Sequence, residues 1–141
     1  MLGEAGVPLL RNRAVPVAGN LWLAGVDDLW GGQPDLHAAL RGVPSRAVTL
    51  LMAHAPDYFD TVLNLDAPVA AQFSGHTHGG QVSLPVFGPP VVPSRSGAKY
   101  LGGLCEGPRC PVLVSRGVGM AGIPMRLRVP PEISEVRLVR A

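Results

Sequence analysis

Apolar residues in this chain come in short runs bounded by glycine, proline and carboxylates, and the runs change character past residue 80. Leu2 to Val17 is a short segment punctuated by Gly6 and Pro8. Asn20 to Val26 then reads as a buried strand that stops abruptly at Asp27-Asp28. Gln33-Pro34-Asp35 opens a helix through about Arg41, since proline suits a first helical turn and Gly42 supplies a stop. Ala47 to Ala53 has the continuous apolar character of a strand covered on both faces, and it delivers His54 at its C-terminal end. Pro56 to Leu63 reads as a second helix, and Val69 to Phe73 as a third strand leading into a glycine-rich loop. Beyond it, Gln81–Pro85, Pro111–Ser115, Met125–Val129 and Ile133–Val139 look like β-segments separated by Gly- and Pro-rich turns. The order predicts an α/β fold first and mostly β afterwards.

A length of 141 residues sets a ceiling of one domain, and 47% hydrophobic residues are ample for a core. No apolar run approaches the about 18 residues that would span a membrane. Gly and Pro are abundant, at 18 and 15, but are dispersed among apolar segments, which signals many turns rather than low complexity. A net charge of +2, with no basic cluster and no aromatic platform, gives no nucleic-acid-binding signal. Met1 to Gly6 has neither a basic nor an apolar leader region, so no signal peptide is expected in this chain, and localisation stays open. Cys105 and Cys110 frame a Gly-Pro turn with a spacing unlike zinc knuckles, and reading them as reduced thiols is favoured over a disulfide.

The chemistry gathers in Ser74-Gly75-His76-Thr77-His78-Gly79-Gly80-Gln81. Glycine lets backbone pass close to a ligand, and neutral imidazole is the commonest metal-binding side chain. A bare H-x-H is more often a solvated turn than a metal site, because two ligands do not make a closed site. Here, however, the predicted strands carry His54, His76 and His78 to one edge of a sheet, at the strand C-termini where ligands gather in open α/β sheets. That convergence selects the three imidazoles as candidate metal ligands. Asp27 and Asp28, at a strand end on the same edge, are candidates for orienting them by hydrogen bonds, although a turn or cap role explains both. Gly75, Thr77, Gly79 and Gln81 are candidate supporting or substrate-side positions.

Met52-Ala53-His54-Ala55-Pro56-Asp57-Tyr58-Phe59, followed by Ser74-Gly75-His76-Thr77-His78-Gly79-Gly80-Gln81-Val82, resembles the last two motifs of the calcineurin-like metallophosphoesterases, notably their YkuE/YaeI-type bacterial branch. The likeness extends to Ala5–Asn12, Gly25–Asp28, Gly97–Tyr100 and Val114–Gly119. It implies a four-layer α-β-β-α sandwich holding two divalent metal ions (Mn, Zn or Fe). In that arrangement His54 and His76 would ligate one ion and His78 the other, and a phosphomonoester or phosphodiester would be the substrate.

The family's first three motifs, D-x-H, G-D-x-x-D and G-N-H-[D/E], have no counterpart here. Asp35-Leu36-His37 has the letters of the first, but on a helix residues i and i+2 face apart. The chain, residues 1–141, is therefore expected to be the C-terminal portion of such a domain with its N-terminal half missing. Three expectations follow: no catalytic residue is identifiable, metal occupancy is partial, and the chain alone is inactive or incomplete. An apolar face including Leu21, Val48, Leu50 and Met52 would be left for the missing half or for a homo-oligomer partner. A membrane or envelope lipid is a possible substrate class by the same resemblance. The competing readings are a non-catalytic metal-binding remnant that works by associating with another protein, and a domain without metal.

Overall fold

The structure, a computed structural model, describes residues 6–139. The first residues of the Ala5–Asn12 likeness and of the Leu2–Val17 segment lie outside them.

One six-stranded sheet organises the chain, in the order β1-β2-β3-β4-β6-β5. Its centre is parallel: β2 (Leu21–Gly25), β3 (Val48–Met52), β4 (Ala71–Ser74) and β6 (Val112–Val114) run side by side. Antiparallel strands close both edges, β1 (Arg13–Ala18) beside β2 and β5 (Gly103–Cys105) beside β6. Two short helices, α1 (Leu36–Ala39) and α2 (Tyr58–Asn64), fill the crossovers between the parallel strands. The α1 helix is shorter than the predicted Gln33–Arg41 because Asp35 caps it, accepting from the Ala38 amide at 2.9 Å. His37 is accordingly exposed on this helix.

Side chains alternate across a strand, so laterally paired residues share a face. Ala24, Leu51, Gln72 and Val112 form one row and are fully buried, with Thr49 and Val114 beside them. Leu36, Tyr58, Phe59, Val62 and Tyr100 cover this side and complete the core. The opposite row is Leu23, Leu50 and Ala71, flanked by Val48, Met52, Phe73 and Leu113, and none of these is buried. Val48 is 47% and Met52 50% exposed. The run Ala47–Ala53 was expected to be covered on both faces; this central strand is covered on one. The accessible surface is 8942 Å², against about 6,900 Å² expected of a folded monomer of 14.7 kDa.

Past β4 the predicted β-character is mostly not realised. Gln81–Pro85 and Met125–Val129 contribute isolated bridges, Val82 with Leu127 and Leu84 with Gly88, and Ile133–Val139 forms no strand. Strand formation needs a partner on at least one side, and these segments find single contacts instead. Conversely, Arg13–Ala18 pairs as a strand although it contains Pro16, which the edge of a sheet tolerates. Both cysteines are free thiols, and burial pushes the Cys110 thiol up.

Candidate metal site

The parallel strands β3 and β4 end together, and each releases its histidine at the same edge. The Gly75 amide donates to the His54 carbonyl at 3.0 Å, joining the two strand ends. His54 Nε2 and His76 Nδ1 stand 3.1 Å apart, with ring centroids 4.9 Å apart and the rings edge-on. Two imidazole nitrogens bound at about 2.0–2.1 Å to one ion would be separated by about 3 Å, so this spacing is compatible with a shared cation. His76 Nε2 is buried and has no hydrogen-bond partner. Burial, then the neighbouring His54, holds the His76 imidazole below its usual pKa and favours the neutral, ligating form.

His78 sits on the next turn of the loop, and its ring is oriented differently. Its Nδ1 lies 3.2 Å from the Gly119 carbonyl. A carbonyl only accepts, so Nδ1 is the donor here, and in the neutral ring that leaves Nε2 as the atom with the lone pair a metal ligand requires. His76, His78 and Gln81 have φ of 68°, 51° and 55°, in the left-handed region that side chains avoid. Such strain persists where surroundings over-determine it, and it clusters at functional sites. The surroundings here are tight. A Cβ on Gly79 would meet Val129 Cγ1 at 2.7 Å, and one on Gly80 would run into Pro89. Thr77, wholly buried, donates to the Leu101 carbonyl at 2.8 Å and accepts from the Gly79 amide.

Sequence reasoning missed the group that holds this loop down. Arg126 donates from Nε and Nη2 to the Gly119 carbonyl at 3.0 and 2.6 Å, and from Nη2 to the Arg116 and Gly117 carbonyls at 2.8 and 3.1 Å. Its Nη1 reaches the His78 carbonyl at 3.3 Å. One guanidinium thus ties the segment 116–119 to His78 through backbone oxygens alone. A lone arginine between Met125 and Leu127 gives no sequence signal for this. The Gln81 carboxamide is occupied in the same way, donating to the Ala121 and Ile123 carbonyls at 3.0 Å each and accepting from the Ala121 amide at 2.7 Å. It braces the loop wall rather than pointing to open space.

The two aspartates have local duties. Asp27 accepts from the Asp28 and Gln33 amides and pairs with Arg11 at 3.2 Å. Asp28 accepts from the Trp30 and Gly31 amides at 2.9 and 2.6 Å, and those bonds, the Gly31 one foremost, hold its carboxyl below the usual range. It remains close enough to His54 and His76 for their charges to be felt. Trp30 stands at the rim, its ring 5.7 Å from His76 and covered by the Arg95 guanidinium at 5.4 Å. Lys99 and Tyr100 turn away, both bonded to Asp60. Arg116 faces Glu132 at 3.7 Å. Gly75 has room above its backbone, the nearest atom to a Cβ there being the Ser115 carbonyl at 3.8 Å.

Among the described residues, no group of three or more His, Cys, Asp or Glu side chains is arranged to hold an ion. The donor chemistry and the His54–His76 spacing fit a metal edge, but these residues do not close a coordination shell.

Comparison with known proteins decides the family. The uncharacterized metallophosphoesterase YkuE of Bacillus subtilis (strain 168) is 38% identical over 112 residues, covering 79% of this chain and 38% of that protein. The phosphodiesterase YaeI of Escherichia coli (strain K12) is 33% identical over 141 residues, covering 98% of this chain and 50% of its own. The chain belongs to the metallophosphoesterase family. An uncharacterized metallophosphoesterase of Aquifex aeolicus (strain VF5) is 32% identical across 94% of the chain and 51% of its own length. The chain thus spans about half, or less, of the curated relatives it matches. No family profile and no solved structure matches it. Among the described residues no helix is long and apolar enough to cross a membrane.

Proposed function

We propose that residues 1–141 are the C-terminal portion of a four-layer α-β-β-α phosphoesterase domain, and that the completed domain hydrolyses a phosphate ester at a dinuclear metal centre. The observation that carries this is the His54–His76 contact at 3.1 Å, where two neighbouring parallel strands end beside His78. Family membership supports it. So do the open apolar sheet face and an accessible surface about 2,000 Å² above that of a compact monomer.

His54 and His76 would hold one ion and His78, through Nε2, the other. A bound pair of divalent ions (Mn, Zn or Fe) supplies an activated water and positive charge for the phosphoryl oxygens. This chain's own work is positioning. Gly119 fixes the His78 tautomer, Gly79 and Gly80 let the loop pack without side chains, and Trp30 screens one side of His76 from water. The carboxylates needed to complete and bridge the shell, and an acid to protonate the leaving group, would come from the absent half. The non-catalytic remnant has one observation on its side, the lack of a closed set of three metal-binding side chains among the described residues.

Turnover of bis-p-nitrophenyl phosphate with Mn or Zn separates these readings. The chain alone is expected to give no turnover above buffer. Co-expressed with a polypeptide that carries the D-x-H, G-D-x-x-D and G-N-H-[D/E] motifs, it is expected to turn over, and His76→Ala to abolish that activity. Turnover by the chain alone would overturn the half-site account. An inactive completed pair that still binds zinc would favour the remnant.

A further inference from the structure

Beside His78 lies a pocket of about 500 Å³ whose chemistry is opposite to that of the histidine edge. Val82, Pro90, Val91, Pro93, Ala121 and Ile123 line it, so its walls are almost wholly apolar. His78, Thr77 and Gln81 are the polar side chains among its lining residues, and no Lys, Arg, Asp or Glu contributes. Thr77 and Gln81 are already bonded to the Leu101, Ala121 and Ile123 backbone and His78 Nδ1 faces the Gly119 carbonyl, which leaves His78 Nε2 as the side-chain polar atom of the lining without a described partner. The groove is open to solvent, with Val91 72% and Ile123 52% exposed; two prolines stand on one side, and the Gln81 carboxamide bonds the Ala121 and Ile123 backbone on the other. The volume falls within the roughly 300–1,000 Å³ of small-molecule sites.

An anion gains nothing in such a pocket, because no cation or cluster of free donors faces it and desolvation would be uncompensated. An apolar group gains the transfer free energy of every methylene it buries. Because His78 itself lines the pocket, a group filling it lies against His78. We propose that the pocket receives the apolar part of the substrate, an alkyl chain or ring esterified to the phosphate that the histidines take. The substrate is then an amphiphilic phosphate ester. This deepens, and rests on, the phosphoesterase reading.

Two ligand series separate the pocket from that reading. Ethyl, butyl, hexyl and octyl phosphate are titrated into the zinc-supplemented chain labelled at Ile and Val methyls, and the corresponding n-alcohols are titrated in parallel. The dissociation constant is expected to fall by about fourfold per methylene in both series until the pocket is full. Shifts should centre on Val82, Val91 and Ile123, and Ile123→Asp or Val91→Asp should flatten the slope. Phosphates are expected to bind more tightly than alcohols of equal length, an advantage lost in His76→Ala. Equal affinity at every chain length, or shifts confined to Val48 on the open sheet face, would overturn the pocket proposal and leave the phosphate reading standing. A slope with no phosphate advantage would keep the apolar pocket and sink the ester.

Discussion

The two faces of the sheet differ in composition and have opposite fates: the covered one carries Thr49 and Gln72 among its apolar side chains, and the less covered one, from Leu23 and Leu50 to Phe73 and Leu113, is apolar throughout. On one, Leu51 and Val112 are wholly buried under α1, α2 and Tyr100. On the other, Leu50 sits half-buried between Val48 and Met52, each about half exposed. The difference teaches that burial here follows from which elements this chain supplies, not from the side chains themselves. Both helical crossovers pack on one side. Parallel strands normally have both faces covered; here the second row is only partly covered, with Leu138 and Val139 beside Leu21, Val48 and Leu50, and on the proposed reading a further layer would pack there.

The largest test of the comparison is a matched pair of truncations. Leu51→Ala removes a fully buried side chain and is expected to cost about 2–5 kcal/mol in urea unfolding. Leu50→Ala, one residue away on the open face, is expected to cost less than about 1 kcal/mol in this chain. Equal losses would mean that the open face is already covered in solution.

The loop at the C-terminal edge of the sheet is held by hydrogen bonds as well as by tight packing, and Arg126 is the hub of those bonds. Arg126→Met leaves the Gly119, Arg116 and Gly117 carbonyls without their charged donor, a loss of about 1.5–3 kcal/mol. It also frees the carbonyl that orients His78, and zinc affinity measured by chelator competition is expected to fall by about tenfold or more. Arg126→Lys, with one ammonium in place of a fork, should recover only part of either. A stable Arg126→Met chain with unaltered zinc affinity would show that His78 is placed by the glycines alone.

How much of this was legible beforehand divides along the same line. The four parallel strands were readable from their apolar runs, as was the meeting of His54 with His76 at their ends, because each strand's neighbours lie within this chain; His78 turns instead to the Gly119 carbonyl and joins no set of three metal-binding side chains among the described residues. What depends on distant or absent partners was not. Gln81–Pro85 and Met125–Val129 have β-forming residues but find only a bridge each. The run Val48–Met52 by itself reads as covered on both faces, and only the family motifs absent from the chain pointed to Val48, Leu50 and Met52 as a face left open. The roles of Gln81 and Arg126 lie in bonds to backbone 7 to 48 residues away, which no local pattern encodes.

Acid should loosen the covered face first. Burial pushes the Asp57 carboxyl up, but its bonds from Ser94 and Ser96 outweigh this and hold it below the usual 3.8. Asp60 is likewise held low against burial by Lys99 and Tyr100. Folded-state values lowered from 3.8 mean that the unfolded chain binds more protons. This contribution is therefore complete above about pH 4 and lost as pH falls through the folded values. Urea midpoints between pH 4.5 and 2.5 should fall less steeply in Asp57→Asn than in the parent. A parallel decline in both proteins would count against Asp57 as the staple.

The smallest effect on stability belongs to the open face, and it discriminates most finely. Val48 and Met52 flank one strand with their side chains directed to the same side, so Val48→Lys with Met52→Lys places two charges on that face without opening the core. In a chain whose open face meets only water, stability should change by no more than about 0.5 kcal/mol. Self-association, followed by sedimentation velocity, should decline, because exposed apolar patches of this kind drive contacts between copies. In the chain completed by its other half the same pair should destabilise strongly, since the charges would then be buried unpaired. A double lysine variant indifferent in both settings would mean that nothing packs on this row, and the case for a second layer would fail with it.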